Sequence, residues 1–437
     1  MSHSHAHPAP TVRQSRAERH RPATPLWMRW TLSAIVLTIA AAAALGMWVL
    51  RPTGEGRPQS QSFAGQGVTF MQGQVISIAP LPCDQQGSSA SESSTASSTP
   101  PSGAAPAPTS CGQAQVKLTD GPEAGQTVTV DLPPEVTRQG PGVGLVVMKV
   151  PAEGTSSPYT YYDMERGRPL LVMALLFALV VILVARGRGV RALIGLVLAA
   201  GVVVTYLLPA LLEGHNPVGL GLCVSVVIMV VVLYLTHGIS TRTTTALLGT
   251  FAGLGITALV GAVAVNQVHL TGVSSDENSA LQQVAQQLDL SHLLTCGIIL
   301  AGLGILNDVT ITQSSAVWEL QEAGGGAAPQ PTMRLYRQAM RIGRDHIAST
   351  VYTIVFAYAG AALTVLLLIS LYDAPLARVL TSADIAEELV RTMASAIGLV
   401  LAVPATTALA VLVISSMSPT PGRPSPRPSP RPSPRHG

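Results

Sequence analysis

About eight stretches of roughly 20 mostly apolar residues run through this 437-residue chain, and that is the length a helix needs to cross the hydrocarbon of a bilayer. They fall near 27–50, 169–185, 191–210, 217–237, 243–265, 292–312, 347–371 and 392–414. Only 11% of the residues are charged, against roughly 25% in soluble globular domains. The mean hydropathy is +0.40. An α-helical polytopic membrane protein of about eight transmembrane helices is expected.

Orientation follows from the basic residues of the loops, because Lys and Arg are retained on the cytoplasmic side. Arg13, Arg16, Arg19, Arg21 and Arg29 precede or open the first span. Arg186, Arg188, Arg191, Arg242, the series Arg334 to Arg344 and the tail arginines Arg423 to Arg435 fall on the same side if eight spans alternate. The opposite short loops, 211–216 and 266–291, hold neither Lys nor Arg. Both termini are therefore expected to be cytoplasmic, in a bacterial cell membrane. The first apolar stretch, Thr31 to Leu50, exceeds the core of about 7–15 residues found in a cleaved signal, so an uncleaved anchor is expected.

Residues 51–168 are polar and predicted to lie outside. Alternation and β-branched content place strands at Gly67–Ile78, Gln113–Thr119, Gln126–Leu132, Leu145–Val150 and Tyr159–Asp163. A turn is expected at Asp120-Gly121-Pro122 and Ala124-Gly125. Five short strands suggest a small OB-like barrel, with a sandwich as the alternative. A Ser-, Ala- and Pro-rich insert at 85–110 is too polar to order itself. Cys83 and Cys111 bracket it. A disulfide is expected there, since the extracytoplasmic space permits one, and closing such a loop contributes roughly 3–4 kcal/mol in the chain-entropy account. Cys223 and Cys296 lie in spans and read as packing residues. No CxxC pattern occurs, and the barrel has no histidine, so no catalytic group is assigned to it.

The remaining domain limits follow. Residues 1–26 form a disordered N-terminus with alternating His3, His5 and His7, to which no metal is assigned. Helix 1 spans 27–50, a seven-helix membrane domain fills 169–414, and 415–437 is a Pro/Arg-rich tail. Its Arg-Pro-Ser-Pro repeat favours polyproline II and suits contact with anionic lipid.

Polar residues inside the spans are the candidate functional residues, because a charge there costs at least about 2.5–3.5 kcal/mol on insertion scales. The sixth span is the abnormal one. Its clean apolar run, Leu293 to Leu306, is too short to cross without Asn307 and Asp308. Asp308, Thr312 and Ser315 share one face at spacings of four and seven, so with Asn307 they are the candidate ion or proton relay. A second cluster, His237, Ser240 and Thr241, lies at a turn where Gly238 permits a reversal and a hydroxyl caps the next helix. A third is the amphipathic stretch near 333–346. There Arg334, Arg337 and Arg341 form a basic stripe suited to anionic lipid, and Arg344, Asp345 and His346 enter the bilayer on the side of Asp308. A salt link from Asp308 to Arg344 would lower the cost of both charges.

Three segments carry a family resemblance. They are Thr236-His237-Gly238-Ile239-Ser240 leading to Ala246-Leu247-Leu248-Gly249-Thr250, Leu303 to Leu320, and Ile342-Gly343-Arg344-Asp345-His346 through Thr350 and Thr353 to Ala357-Tyr358. Together they resemble the YibE/F-like family of bacterial multi-pass membrane proteins over about 160–418. Asn307 before the Asp, the insert bracketed by cysteines and the repeat tail depart from that pattern. The resemblance implies a topology and no established activity. Leu303 to Leu320 with the Ile342 segment is also similar, more distantly, to the intramembrane Asp segment of resistance-nodulation-division transporters. That likeness implies proton carriage by Asp308.

Three functions are therefore weighed. A transporter or transport-associated protein using Asp308 comes first. An envelope scaffold whose outer domain binds a protein partner comes second. An intramembrane enzyme comes last, since HExxH, GxSxG and paired intramembrane aspartates are missing. No cofactor, metal or nucleic acid is expected.

Overall fold

The structure is a computed structural model. It describes residues 25–54, 67–82, 110–150, 158–274, 276–324, 330–371 and 375–416. The histidines of the N-terminus, the insert with Cys83, and the repeat tail lie outside the described residues. The chain divides into two compact units, Met1–Pro58 with Gly187–Gly437, and Gln59–Arg186.

The smaller unit is built on β1 (Thr69–Pro82), β2 (Ser110–Leu118), β3 (Thr127–Leu132), a short helix α2 (Pro134–Thr137), β4 (Gly144–Lys149) and β5 (Tyr159–Met164). All pairings are antiparallel, in the order β3-β2-β1-β4-β5. The sheet curls into a half-barrel, its edge strands β3 and β5 packed near one another. Alternation drives the curl. Met71 and Val75 of β1, Val116 of β2, Val130 of β3 and Val147 of β4 all point to one enclosed core with Val136 of α2. A bulge between Val75 and Ser77 interrupts the β1 register and shifts the inward positions by one, so that Ser77 is exposed and Ile78 packs against the core. The turn after β2 falls where the glycines require it, with Gly121 at φ +80° and Gly125 at φ +93°.

A three-point polar clip holds the β2–β3 turn to the last two strands. Lys149 Nζ meets Glu123 Oε1 at 2.5 Å, and the Tyr159 hydroxyl donates to Glu123 Oε2 at 2.7 Å. These bonds hold the Glu123 carboxyl below its ordinary range and the Lys149 ammonium above its own.

Helices make up the rest. They are α1 (Leu26–Val49), α3 (Gly167–Val202), α4 (Leu208–Leu212), α5 (Pro217–His237), α6 (Thr241–Gln267), α7 (Asp276–Val284), α8 (Leu290–Ala323), α9 (Thr332–Ala361), α10 (Leu363–Leu371), α11 (Leu376–Leu380) and α12 (Ala383–Ser415). Six helical runs among the described residues are long and apolar enough to cross a membrane, and seven if α9 and α10, bent by 69°, make one span. The count falls short of eight by length and composition alone. The second and third predicted spans form one run, Gly167–Leu212, interrupted at Arg186 by a φ of 53° and ψ of −133°. A π turn, Val203–Leu207, joins α3 to α4. Pro209 has no N–H to return to the Thr205 carbonyl, and the turn widens so that Leu208 N–H reaches Val203 O instead. The predicted amphipathic stretch at 333–346 is the first half of α9 and not a separate element.

The centre of the larger unit is the packing of α6, α8 and α12. Small residues recur every fourth position on α6, at Gly249, Gly253, Thr257 and Gly261. A side chain at Gly249 would strike Thr406, and one at Gly398 would strike Thr257. Glycine therefore sets how closely α6 and α12 approach, the small-residue device of membrane helices.

Candidate functional site

The α5–α6 turn is held by its own sequence. Gly238 sits at φ +77°, and the Ser240 hydroxyl accepts the Thr243 N–H at 3.1 Å as the cap of α6. His237 Nδ1 lies 2.8 Å from Thr236 Oγ1. Thr241 opens the helix, its carbonyl accepting the Thr245 hydroxyl at 2.8 Å. From this turn Arg242 reaches α8. Its Nε donates to Ser315 Oγ at 2.7 Å, its carbonyl accepts Ser314 Oγ at 3.0 Å, and its guanidinium lies 3.4 Å from Glu319.

The α8 stripe shares the less buried side of the helix, but its side chains do not bond to one another. Ser315 is taken by Arg242. The Thr312 hydroxyl turns back on its own helix, donating to the Asp308 carbonyl at 2.8 Å. Asp308 is exposed on the unit, and among the described residues its carboxylate has no partner. No ion pair joins it to Arg344. Arg344 and Asp345 are exposed. Asn307 Oδ1 and His346 Nε2 are each buried without a hydrogen-bond partner. Arg334, Arg337 and Arg341 lie on the same α9 segment as Leu335 and Ala339, which bury its opposite face.

The buried face of α8 carries a polar seam that sequence reasoning missed. Thr310 and Thr250 share a hydrogen bond of 2.6 Å between α8 and α6. Gln313, 3% exposed, donates through Nε2 to Ala339 O of α9 at 3.1 Å and to Thr407 Oγ1 of α12 at 2.8 Å. It thereby ties three helices at one level. Gly343 completes the crossing, since a Cβ there would lie 2.7 Å from Val403 Cγ1 and 3.1 Å from Gln313 Oε1. The signal available in the sequence was Gln313 itself, an amide seven residues beyond the apolar run, together with the four-residue spacing of small residues on α6.

At the far end of the bundle Glu213 accepts the Thr53 and Gly54 N–H groups at 2.7 and 2.8 Å, and these bonds hold its carboxyl below the usual range. Cys296 is buried and Cys223 partly so, both as free thiols. Cys223 touches the α1 backbone at Gly46, and Cys296 touches Gly221, so both serve packing.

The sequence profile of the YibE/F-like protein family matches residues 173–416, more than half of the chain. The chain belongs to the YibE/F-like family. The match takes in the whole α5–α6 turn, the seam and Asp308. Neither a curated protein nor a solved structure matches the chain. The YibE/F-like region thus contains every interhelical polar contact described above except those of the chain leaving α1, while the half-barrel falls before it.

Proposed function

We propose that this YibE/F-like chain is a multi-pass transporter, or a transport-associated protein, of the bacterial cytoplasmic membrane that uses Asp308. One observation carries this reading. Asp308 stands seven residues, about 10 Å at 1.5 Å per residue, from Ser315, where Arg242 first meets the polar end of α8. A carboxylate side chain does not reach across that depth to water. A charge kept inside the bilayer, with no protein partner among the described residues, ordinarily serves an ion or substrate path.

The same reading includes eight spans with cytoplasmic termini. The Gly167–Leu212 run is 46 residues long, about 69 Å against a hydrocarbon core of roughly 30 Å. A break at Arg186, flanked by Arg188 and Arg191, divides it into two crossings. The half-barrel then lies outside as an OB-like domain. Its strand order, and α2 between β3 and β4, support that assignment. A Cys83–Cys111 disulfide also belongs to this reading: Cys111 is buried on β2, and Cys83 lies outside the described residues. Anionic lipid contact by Arg334, Arg337 and Arg341 also belongs here.

The scaffold reading draws on a different observation. Phe70 and Tyr162 meet edge to face at 4.8 Å on the exposed side of the sheet, and exposed aromatic pairs suit protein partners. Asp308→Asn in reconstituted vesicles carrying a pH-sensitive dye separates the two. Under the transport reading the wild type dissipates an imposed proton gradient and the variant does not. Equal leak in both, with the outer domain cross-linking to one dominant envelope protein, favours the scaffold.

A further inference from the structure

A cavity of about 270 Å³ opens at the end of the bundle opposite Arg242 and Glu319. Leu207 and Leu211 line one wall, from the π turn and α4, and Leu294 and Leu300 of α8 line another. Two charged side chains, Glu387 and Arg391, complete it from the start of α12. They are four residues apart and share one helix face. Glu387 is only 7% exposed, and among the described residues it has no hydrogen-bond or ion-pair partner. The Nε of Arg391 is buried without a partner, while the rest of its side chain, 34% exposed, makes one long ion pair of 3.9 Å with Glu388.

Buried charges are ordinarily paired within the protein, because desolvation otherwise outweighs what they gain. A cavity that holds one unpaired carboxylate and one under-bonded guanidinium side by side is complementary to a guest with the opposite two charges. The wall facing them is a π turn, a widening of the helix often found at functional sites, and here it follows from Pro209.

We propose that this cavity binds a small zwitterion with an aliphatic body, the chemistry of an aliphatic amino acid. Its ammonium meets Glu387, its carboxylate meets Arg391, and its hydrocarbon part lies against the leucines. The volume sits just under the roughly 300 Å³ at which ligand pockets begin, which fits a single amino acid. The inference stands apart from the transport reading, because binding is measured directly whether or not anything crosses the membrane.

The test is calorimetric titration of the full chain in nanodiscs with L-leucine, with isoamylamine as the amine half and with isocaproate as the acid half. Leucine is expected to bind, and each half-molecule at least about tenfold more weakly, as loss of a charged hydrogen bond implies. Glu387→Gln and Arg391→Gln should each weaken leucine by about tenfold or more. Without ligand, Glu387→Gln should melt no lower than the parent, since it removes an unpaired charge, so lost binding cannot be ascribed to misfolding. Leu211→Trp, which fills the cavity from the other wall, gives a second route to the same loss. Absence of leucine binding, isocaproate binding as tightly as leucine, or leucine binding unchanged in both charge variants overturns the proposal.

Discussion

Replacing Gln313 with Leu tests whether the α8–α9–α12 crossing is held by its amide. Leu keeps much of the volume and removes two hydrogen bonds, to Ala339 O and Thr407 Oγ1. Interhelical hydrogen bonds in membranes average about 0.6 kcal/mol and reach about 1.7 kcal/mol, so two give about 1–2 kcal/mol. The lower end is expected. The Thr407 hydroxyl keeps its bond to Val403 O at 2.7 Å, and Ala339 O still lies within its helix, so neither group is orphaned. A loss of about 1 kcal/mol shifts the folding equilibrium about fivefold. Gln313→Ala adds the empty volume and should cost about 3 kcal/mol, within the range for large-to-small core changes. The assay is reversible unfolding of the full chain in mixed micelles, run as a double-mutant cycle with Thr407→Val. A coupling energy of about 0.6–1.7 kcal/mol is expected. Additivity within about 0.3 kcal/mol, or a Gln313→Leu variant as stable as the parent, would refute the assignment of Gln313 as the tie.

Other outcomes follow from the same contacts. Gly249→Ala brings a methyl onto Thr406 and should destabilise by about 1–3 kcal/mol, the usual cost of overpacking, with Thr406→Ala restoring part of it in the same unfolding assay. Ser240→Ala removes the α6 cap and should cost about 0.5–2 kcal/mol; an unchanged midpoint would count against the cap. The Glu123–Lys149 clip should give the half-barrel a plateau in pH. Glu123 is lowered from 4.5, so its contribution is present above that value and lost as pH falls through the folded value. Lys149 is raised from 10.5, so its contribution is full below that value and lost as pH rises through the folded one. Near-ultraviolet dichroism of the full chain should lose both limbs in Glu123→Gln. Mass shift after thiol alkylation should show Cys83 and Cys111 protected together until reduction; labelling of either without reductant argues against their disulfide.

The parts of this fold legible in the sequence are those with a strong period. The five strands lie within a few residues of their predicted places because inward Val and Leu alternate with outward polar groups, as in β3 from Thr127 to Leu132. The ends of β1 escaped that reading: past the bulge at Val75 the period breaks, and Ala79 to Pro82 continue the strand through pairing with β2 alone. The break at Arg186 was legible, because the second predicted span ends at 185 and charged Arg186 is followed by Gly187. The α9–α10 bend at Ala362 was not, since it lies within an unbroken apolar composition.

Site residues divide along the same line. Asp308 was visible because a carboxylate inside an apolar run is costly wherever it points. Gln313 was not singled out, because an amide's worth depends on the carbonyl and hydroxyl that meet it, and those come from Ala339 and Thr407, residues 26 and 94 positions away. Spacing along one helix identified the face but not the bonds. Asp308, Thr312 and Ser315 lie together on the less buried side of α8, yet Ser315 is drawn to Arg242 of α6 and Thr312 bonds to its own helix's carbonyl, partners that spacing along one helix does not reveal. What is left is a helix with two opposed polar features, a satisfied amide tie inside and a carboxylate without a partner outside. The tie fixes α8 against α9 and α12. Under the transport reading, Asp308 therefore works by exchanging its proton or ion on a rigid helix, and a variant that loosens Gln313 should disturb that exchange without touching the carboxylate.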